Sequence, residues 1–259
     1  MDLKDLQYAI EDFLPGSSSS GISASCESNL YQGKAPVIAM SQLEKDSKVI
    51  CNVGYAGRVS YITKSNLYSA EYLTSQRLRQ ARKIERVNPF HEEESISPSK
   101  RANLSDYRGS GYDRGHLAPN ADMPTKESQF DSFSLANMIP QVPENNRETW
   151  SKIEQKTRYL TKKYKQLYVV TMPVYSHLDG SFPKRIKAIG KNKVYVPLYV
   201  AKAIYIPSIK QALVVVAPND ASYRMKIMSV SQFQKGTKID AFPSLSPSIK
   251  AHKGTFFKW

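Results

Sequence analysis

Hydrophobic positions along this chain follow two rhythms, and the switches between them mark the elements. Leu3, Leu6, Ile10 and Phe13 fall three to four apart, which predicts a short amphipathic helix over residues 2–14. Pro15-Gly16 ends it, and the SSSSG run at 17–21 reads as a flexible connector. Residues 1–21 are thus expected to be an extension, and 22–259 one domain. Alternating and β-branched residues from Val49 to Tyr61 predict paired strands. Leu67–Glu85 turns polar and basic, with a helix over part of it, and the polar, Pro-broken stretch 91–101 reads as a surface loop. Glycines 109, 111 and 115 predict turns around a short extended segment.

Residues 144–164 return to the helical rhythm. Trp150, Ile153, Thr157, Leu160 and Tyr164 make one apolar stripe, while Glu154 and Arg158 lie four apart on another face. The second half holds strand runs at 167–175, 194–206 and 212–218, and a short helix is expected to begin within 229–234. This mixed order predicts an α+β architecture around a central, mainly antiparallel sheet. No stretch stays apolar for 18 residues, so no membrane-spanning helix is expected.

Composition adds a sign to this picture. Lys and Arg total 37 against 23 Asp plus Glu, a formal net charge of +14. Such a surplus attracts polyanions, yet a generally basic solvated surface has the same composition. Cys26 and Cys51 are the only cysteines, too few for a disulfide framework or a four-cysteine zinc site; one bridge and two buried thiols both remain open. The first residues lack the basic start and long apolar run of a secretory signal.

Four histidines occur, and His116 alone sits in a dense polar group, Asp113-Arg114-Gly115-His116. An imidazole can take a proton from water near neutral pH, and a neighbouring guanidinium can grip a phosphate with two parallel bonds. The plain alternative is a turn closed by His116 with Asp113 and Arg114 paired to neighbours. A second group comprises Asn137, Asn146, Glu154 and Arg158. Asparagine oxygen suits hard Mg²⁺, but Asn146 at a helix start is equally a cap, and Glu154 with Arg158 is equally an ordinary surface ion pair. The lysine and arginine run at 184–193 extends a backbone-binding surface or forms a solvated loop.

At this point the motifs resemble a known family. The run DRGHLAPNADM (113–123), with SLANMIPQ (134–141) and the NRETWSKIE of 146–154, is similar to the active-site signature of the DNA/RNA non-specific endonucleases. The resemblance extends through 51–74 and 169–175, from about Cys26 to the region of Pro247. It implies a ββα-metal finger and a sugar-non-specific endonuclease acting on DNA and RNA, leaving 5′-phosphate and 3′-hydroxyl ends. It also implies His116 as general base, Arg114 and Arg158 at phosphate oxygens, and Asn137 as the residue orienting the histidine. Asn146 would be the direct Mg²⁺ ligand, with Mn²⁺ as a substitute, and Glu154 would hold the ion through water. Asp113 is expected to be structural or to support the histidine.

Three departures stand out. Met172 replaces the usual glycine of a Thr-Gly-Pro turn, Glu148 replaces a glycine near Asn146, and a glutamate is absent from 232–242. The main alternative is a catalytically silent nucleic-acid-binding protein on the same fold, against which intact His116, Asn146 and Glu154 argue. A protein inhibitor is a further expected partner. The resemblance, the cysteine pair and the hazard of an unrestrained nuclease suggest a periplasmic or secreted location with Cys26–Cys51 bridged.

Overall fold

A computed structural model describes residues 24–258; the helix and connector expected within 1–21 lie outside the described residues. In chain order the strands are β1 (Val37–Ile38), β2 (Ser47–Cys51), β3 (Ala56–Ser60), β4 (Asn66–Thr74), β5 (Asp113–His116), β6 (Met138–Gln141) and β7 (Gln166–Val174). They continue with β8 (Ala188–Ile189), β9 (Val194–Tyr195), β10 (Tyr199–Ile206), β11 (Gln211–Pro218), β12 (Lys226–Met228) and β13 (Ile239–Asp240). Seven of them form the central sheet in the order β12-β11-β10-β7-β4-β3-β2, every neighbouring pair antiparallel. The α+β architecture with a mainly antiparallel sheet is what the sequence pattern predicts.

The sheet is buried on both faces, and the period of two sorts its side chains. Along β11, Leu213, Val215 and Ala217 join one core, while Ala212, Val214 and Val216 join the other. The second of these cores is closed by the helix Val230–Thr237 through Val230 and Phe233. The first is closed by the long helix Ser151–Tyr164 through Ile153 and Leu160, with Trp150 just before it. The expected stripe is thus realised: Trp150, Ile153, Thr157 and Leu160 are buried and Tyr164 partly so. Apart from the central sheet, β5 and β6 form a two-stranded sheet of their own, in which Gly115 opposes Ile139 and His116 opposes Met138.

Several expectations are corrected in detail. The stretch 67–85 begins as strand: β4 runs to Thr74, whose hydroxyl accepts from the Arg77 amide and caps the helix Ser75–Ala81. The single strand expected over 194–206 is split into β9 and β10 around Pro197, which has no N–H for a ladder. Thr171-Met172-Pro173 lies inside β7, as the strand run at 167–175 predicts, paired with Lys202, Ala201 and Val200 of β10, so the family's turn does differ here. Gly109 and Gly111 do adopt positive φ, 66° and 81°, as turns require. Gly115 differs: a Cβ there would lie 1.9 Å from Gln141 Oε1 and 2.7 Å from its Cβ, so close strand packing is the reason for glycine. Cys26 and Cys51 are bridged, fastening the start of the described chain to β2. No helix among the described residues is long and apolar enough to cross a membrane.

Candidate active site

The finger carries its chemistry on a strand and a helix that face one open cavity of about 780 Å³. His116 from β5, Asn146 and Glu154 from the helical segment, and Arg86, Arg108, Arg114 and Arg147 all line it. His116 is wedged between two phenylalanines, with ring centroids 4.8 Å from Phe133 at 88° and 5.9 Å from Phe90. Its Nε2 is sealed from solvent without a hydrogen-bond partner, leaving Nδ1 as the nitrogen that the cavity can reach. Burial, reinforced by the charges of Arg86 and Arg114, pushes the imidazole down to about 3, so it is neutral at pH 7.

Arg114 stacks on Phe90, its guanidinium carbon 4.1 Å from the ring centroid. It forms no ion pair among the described residues, so its charge stays available to a ligand. Arg86 sits 5.7 Å from the Phe133 ring and donates to Asn88. Neither Arg86 nor Phe90 emerges from the sequence pattern, because both lie in an irregular stretch whose periodicity is silent. The basic run at 184–193 does reach this region: Lys187 lies 4.9 Å over Tyr112, which lines the cavity.

Asn146 lies within a π-helical turn, Asn145–Trp150, that precedes the long helix. Such turns are uncommon and concentrate at functional sites. The cap position falls on Glu144, so Asn146 does not cap the helix. Its amide nitrogen instead donates to Asp113 Oδ2 at 3.0 Å, and no hydrogen bond from the described residues reaches its oxygen. Asp113 also accepts two bonds from Arg147, at 2.8 and 2.7 Å. Asp113 therefore supports Asn146, and it makes no hydrogen bond to His116. Its carboxyl is held below the ordinary range: burial pushes upward, but the bonds from Arg147 and Asn146 outweigh it. Glu148 turns to the exposed side and pairs with Lys152 at 3.4 Å.

Asn137 is fully buried and uses its whole amide group. It donates to the carbonyls of Ala118 and Ser132, both at 2.9 Å, and accepts from Ala118 N–H and Ser69 Oγ at 3.0 and 2.8 Å. These bonds hold the backbone two residues beyond His116; none reaches the imidazole.

Glu154 and Arg158 do lie together, but in a larger set of charges. Arg158 is 3.3 Å from Asp122 and 3.9 Å from Glu154. Arg77 pairs with buried Glu71 at 3.2 Å and donates to the Asp122 carbonyl at 2.7 Å. Lys202, also buried, donates to Thr171 at 2.5 Å and lies 5.4 Å from the Trp150 ring. Burial pushes Glu154 up to about 7, against the downward pull of Lys202 and Arg158; it also raises Glu71 and lowers Lys202. Sequence reasoning missed Glu71, Asp122 and Lys202. Lys202 and Glu71 are single charges on the apolar face of buried strands, and that interruption was the available signal. Arg158 lines a second cavity rather than the one holding His116.

A cleft with a neutral base, an unengaged amide oxygen and several arginines suits the breaking of polyanion links, and the class is a hydrolytic nuclease. Comparison with known proteins makes this specific: residues 34–246 match the family model described as DNA/RNA non-specific endonuclease, and the chain belongs to that family. It is 36% identical over 223 residues to human "Endonuclease G, mitochondrial", covering 84% of this chain and 70% of that protein. The yeast Saccharomyces cerevisiae "Mitochondrial nuclease" is 39% identical over 55% of this chain and 45% of its own length. A "Nuclease" of Nostoc is 35% identical over 58% of this chain and 57% of its own length. A solved structure described as the EndoG/EndoGI complex, concerned with EndoG inhibition, superposes with a TM-score of 0.65 at 28% identity, covering 77% of this chain and 89% of that one. The human and yeast relatives are mitochondrial proteins, which overturns the periplasmic or secreted location expected from the sequence. The Cys26–Cys51 bridge is present, but it carries no argument for export.

Proposed function

We propose that this nuclease hydrolyses DNA and RNA phosphodiesters with the aid of Mg²⁺, leaving 5′-phosphate and 3′-hydroxyl ends. The observation that carries the reading is His116, neutral and open to the cavity through one nitrogen, beside an Asn146 oxygen that no protein donor engages. His116 takes the proton of the attacking water through Nδ1. Arg114, steadied by Phe90, grips a non-bridging phosphate oxygen, and its charge counts for more as negative charge grows in the transition state. Asn137 acts on the imidazole indirectly, by fixing the Ala118 backbone.

The donor set fits a hard ion. Asn146 offers its amide oxygen directly and Glu154 a carboxylate through water, a sparse set of the kind Mg²⁺ accepts because it keeps much of its hydration. Among the described residues no group of three or more His, Cys, Asp or Glu gathers, so an ion here would rest on this sparse set and its own waters. Bound there, Mg²⁺ or Mn²⁺ would neutralise phosphate charge and ease departure of the 3′ oxygen. Asp113 orients the Asn146 amide, and Arg158 with Asp122 limits where Glu154 can swing. Contacts to phosphates rather than base edges explain why DNA and RNA would both serve. A protein inhibitor is part of the proposal, since the solved structural neighbour is an enzyme–inhibitor complex.

The test is incubation of pure protein with supercoiled plasmid and with RNA, with Mg²⁺ or with EDTA, followed by end analysis of the products. Metal-dependent cleavage of both with ligatable 5′-phosphate ends is expected. Cleavage that survives EDTA, restriction to one sugar, or 3′-phosphate ends would each overturn the corresponding part.

A further inference from the structure

Beside the active-site cavity lies a second one of about 300 Å³, between the helix Ser75–Ala81 and the last turns of the long helix. Its charged lining is cationic throughout: Arg82, Arg86, Arg158 and Lys162, with no Asp or Glu. Arg158 is partly engaged by Asp122 and Glu154. Arg82 and Lys162 are solvent-exposed and have no ion pair among the described residues. Lys162 lies one helical turn beyond Arg158, hence on the same face. Arg82 ends the preceding helix with its backbone N–H engaged by the Leu78 carbonyl, which fixes its main chain at the rim of the cavity.

Arg86 and Asn120 line both cavities, so they form the ridge between them rather than a wall closing either. A strand seated at His116 can cross that ridge without leaving cationic surface. Arg82, Arg86 and Lys162, which make no ion pair among the described residues, repel one another around this small hollow unless an anion enters; Arg158 is only partly compensated. We propose that Arg82 and Lys162, with Arg158, form a second phosphate subsite that holds a neighbouring phosphate of the strand being cut. The ligand is the sugar-phosphate backbone, and the subsite contributes affinity and register rather than chemistry. This inference rests on the nuclease reading.

The experiment is R82A/K162A, compared with a charge-matched control, K210A/K253A, whose residues line a cavity sharing none with the active site. Binding of a fluorescent single-stranded oligonucleotide is measured by anisotropy in a His116→Ala background at several salt concentrations. Losing the one phosphate that these cations neutralise should flatten the slope of log K against log salt by about 0.7, while the control leaves it unchanged. With His116 restored, KM for the oligonucleotide should rise at constant kcat, and KM for a minimal ester such as bis(p-nitrophenyl) phosphate should not move. An unchanged slope, an equal loss in the control, or a matching rise in KM on the minimal ester would overturn the subsite. Because both side chains are exposed, unchanged melting temperature checks that the fold is intact. Failure of the parent enzyme to cleave any phosphodiester would refute the nuclease reading separately, since the binding arm needs no turnover.

Discussion

Replacing Asp113 by alanine tests how the Asn146 oxygen is kept free for a cation. The carboxylate makes three hydrogen bonds, and they are not equal in consequence. Those from Arg147 are the shorter, at 2.8 and 2.7 Å, but that arginine's side chain is 68% exposed, so water and salt discount them. The 3.0 Å bond from Asn146 is partly buried and fixes which end of a symmetric-looking amide faces the cavity. Without it the amide can turn, presenting N–H where oxygen is needed. Loss of such an orienting partner typically weakens metal binding about 10–100-fold, equivalent to about 1.4–2.7 kcal/mol. The assay is initial rate against free Mg²⁺ concentration for the parent, D113A, R147A and the double variant. D113A should shift the Mg²⁺ requirement upward by that factor, with a smaller fall in the saturated rate. R147A should leave it nearly unchanged, and the double variant should match D113A. An unaltered Mg²⁺ midpoint in D113A, or an equal shift in R147A, would refute the reasoning.

Other outcomes follow from the same geometry. His116→Ala should lower kcat by about 10²–10⁴-fold while melting temperature and DNA affinity stay close to the parent, and comparable turnover would remove the base assignment. Because burial holds the imidazole at about 3, its ring-proton NMR shift should stay flat from pH 8 to 5; a midpoint near 6.5 would contradict it. The sign for stability follows: the unfolded histidine gains a proton near 6.5 and the folded one only near 3, so this group's contribution is lost as pH falls through that window. Arg114→Lys should lose most of the effect of the native residue despite keeping the charge, since lysine neither stacks as a plane on Phe90 nor forks onto phosphate; equal kcat/KM would make Arg114 a general charge only. Reducing the Cys26–Cys51 bridge, which closes a separation of 25 residues, should cost about 3.5 kcal/mol on a chain-entropy basis, read as a lower denaturant midpoint under reductant.

Where a periodic pattern spanned several turns or strands, the fold was legible from the chain. The Trp150 to Leu160 stripe and the runs that became β7 and β11 are examples, because burial of one face repeats at a fixed interval. Candidate chemistry was legible where it was compressed into a short motif, as at 113–116. What escaped depended on long-range placement. Arg86 and Phe90 reach the cavity from an irregular stretch, and Glu71 and Lys202 sit on the buried face of strands where only the tertiary contacts show why a charge is tolerated. The π-helical turn at Asn145–Trp150 has no period of its own, and its residues also suit an ordinary helix start. Thr171-Met172-Pro173, where Met172 replaces the glycine of the family's turn, lies within the strand read over 167–175, paired on β10.

Asn137 bears on whether the catalytic finger is a portable part. Its four bonds draw on two N–H groups and an oxygen with two lone pairs, and they reach three stretches of chain: Ser69 in the central sheet, Ala118 after β5, and Ser132 before β6. Aspartate would lack the donors and leucine every partner, while glutamine would place the amide a methylene too far. The excised segment from β5 to the long helix would take this amide along but leave Ser69 behind. Grafted onto a foreign scaffold, it would need a hydroxyl at that place in the host sheet, or the buried Asn137 oxygen would keep only the Ala118 N–H. The finger is better regarded as one half of a fitted joint, with its counterpart in β4.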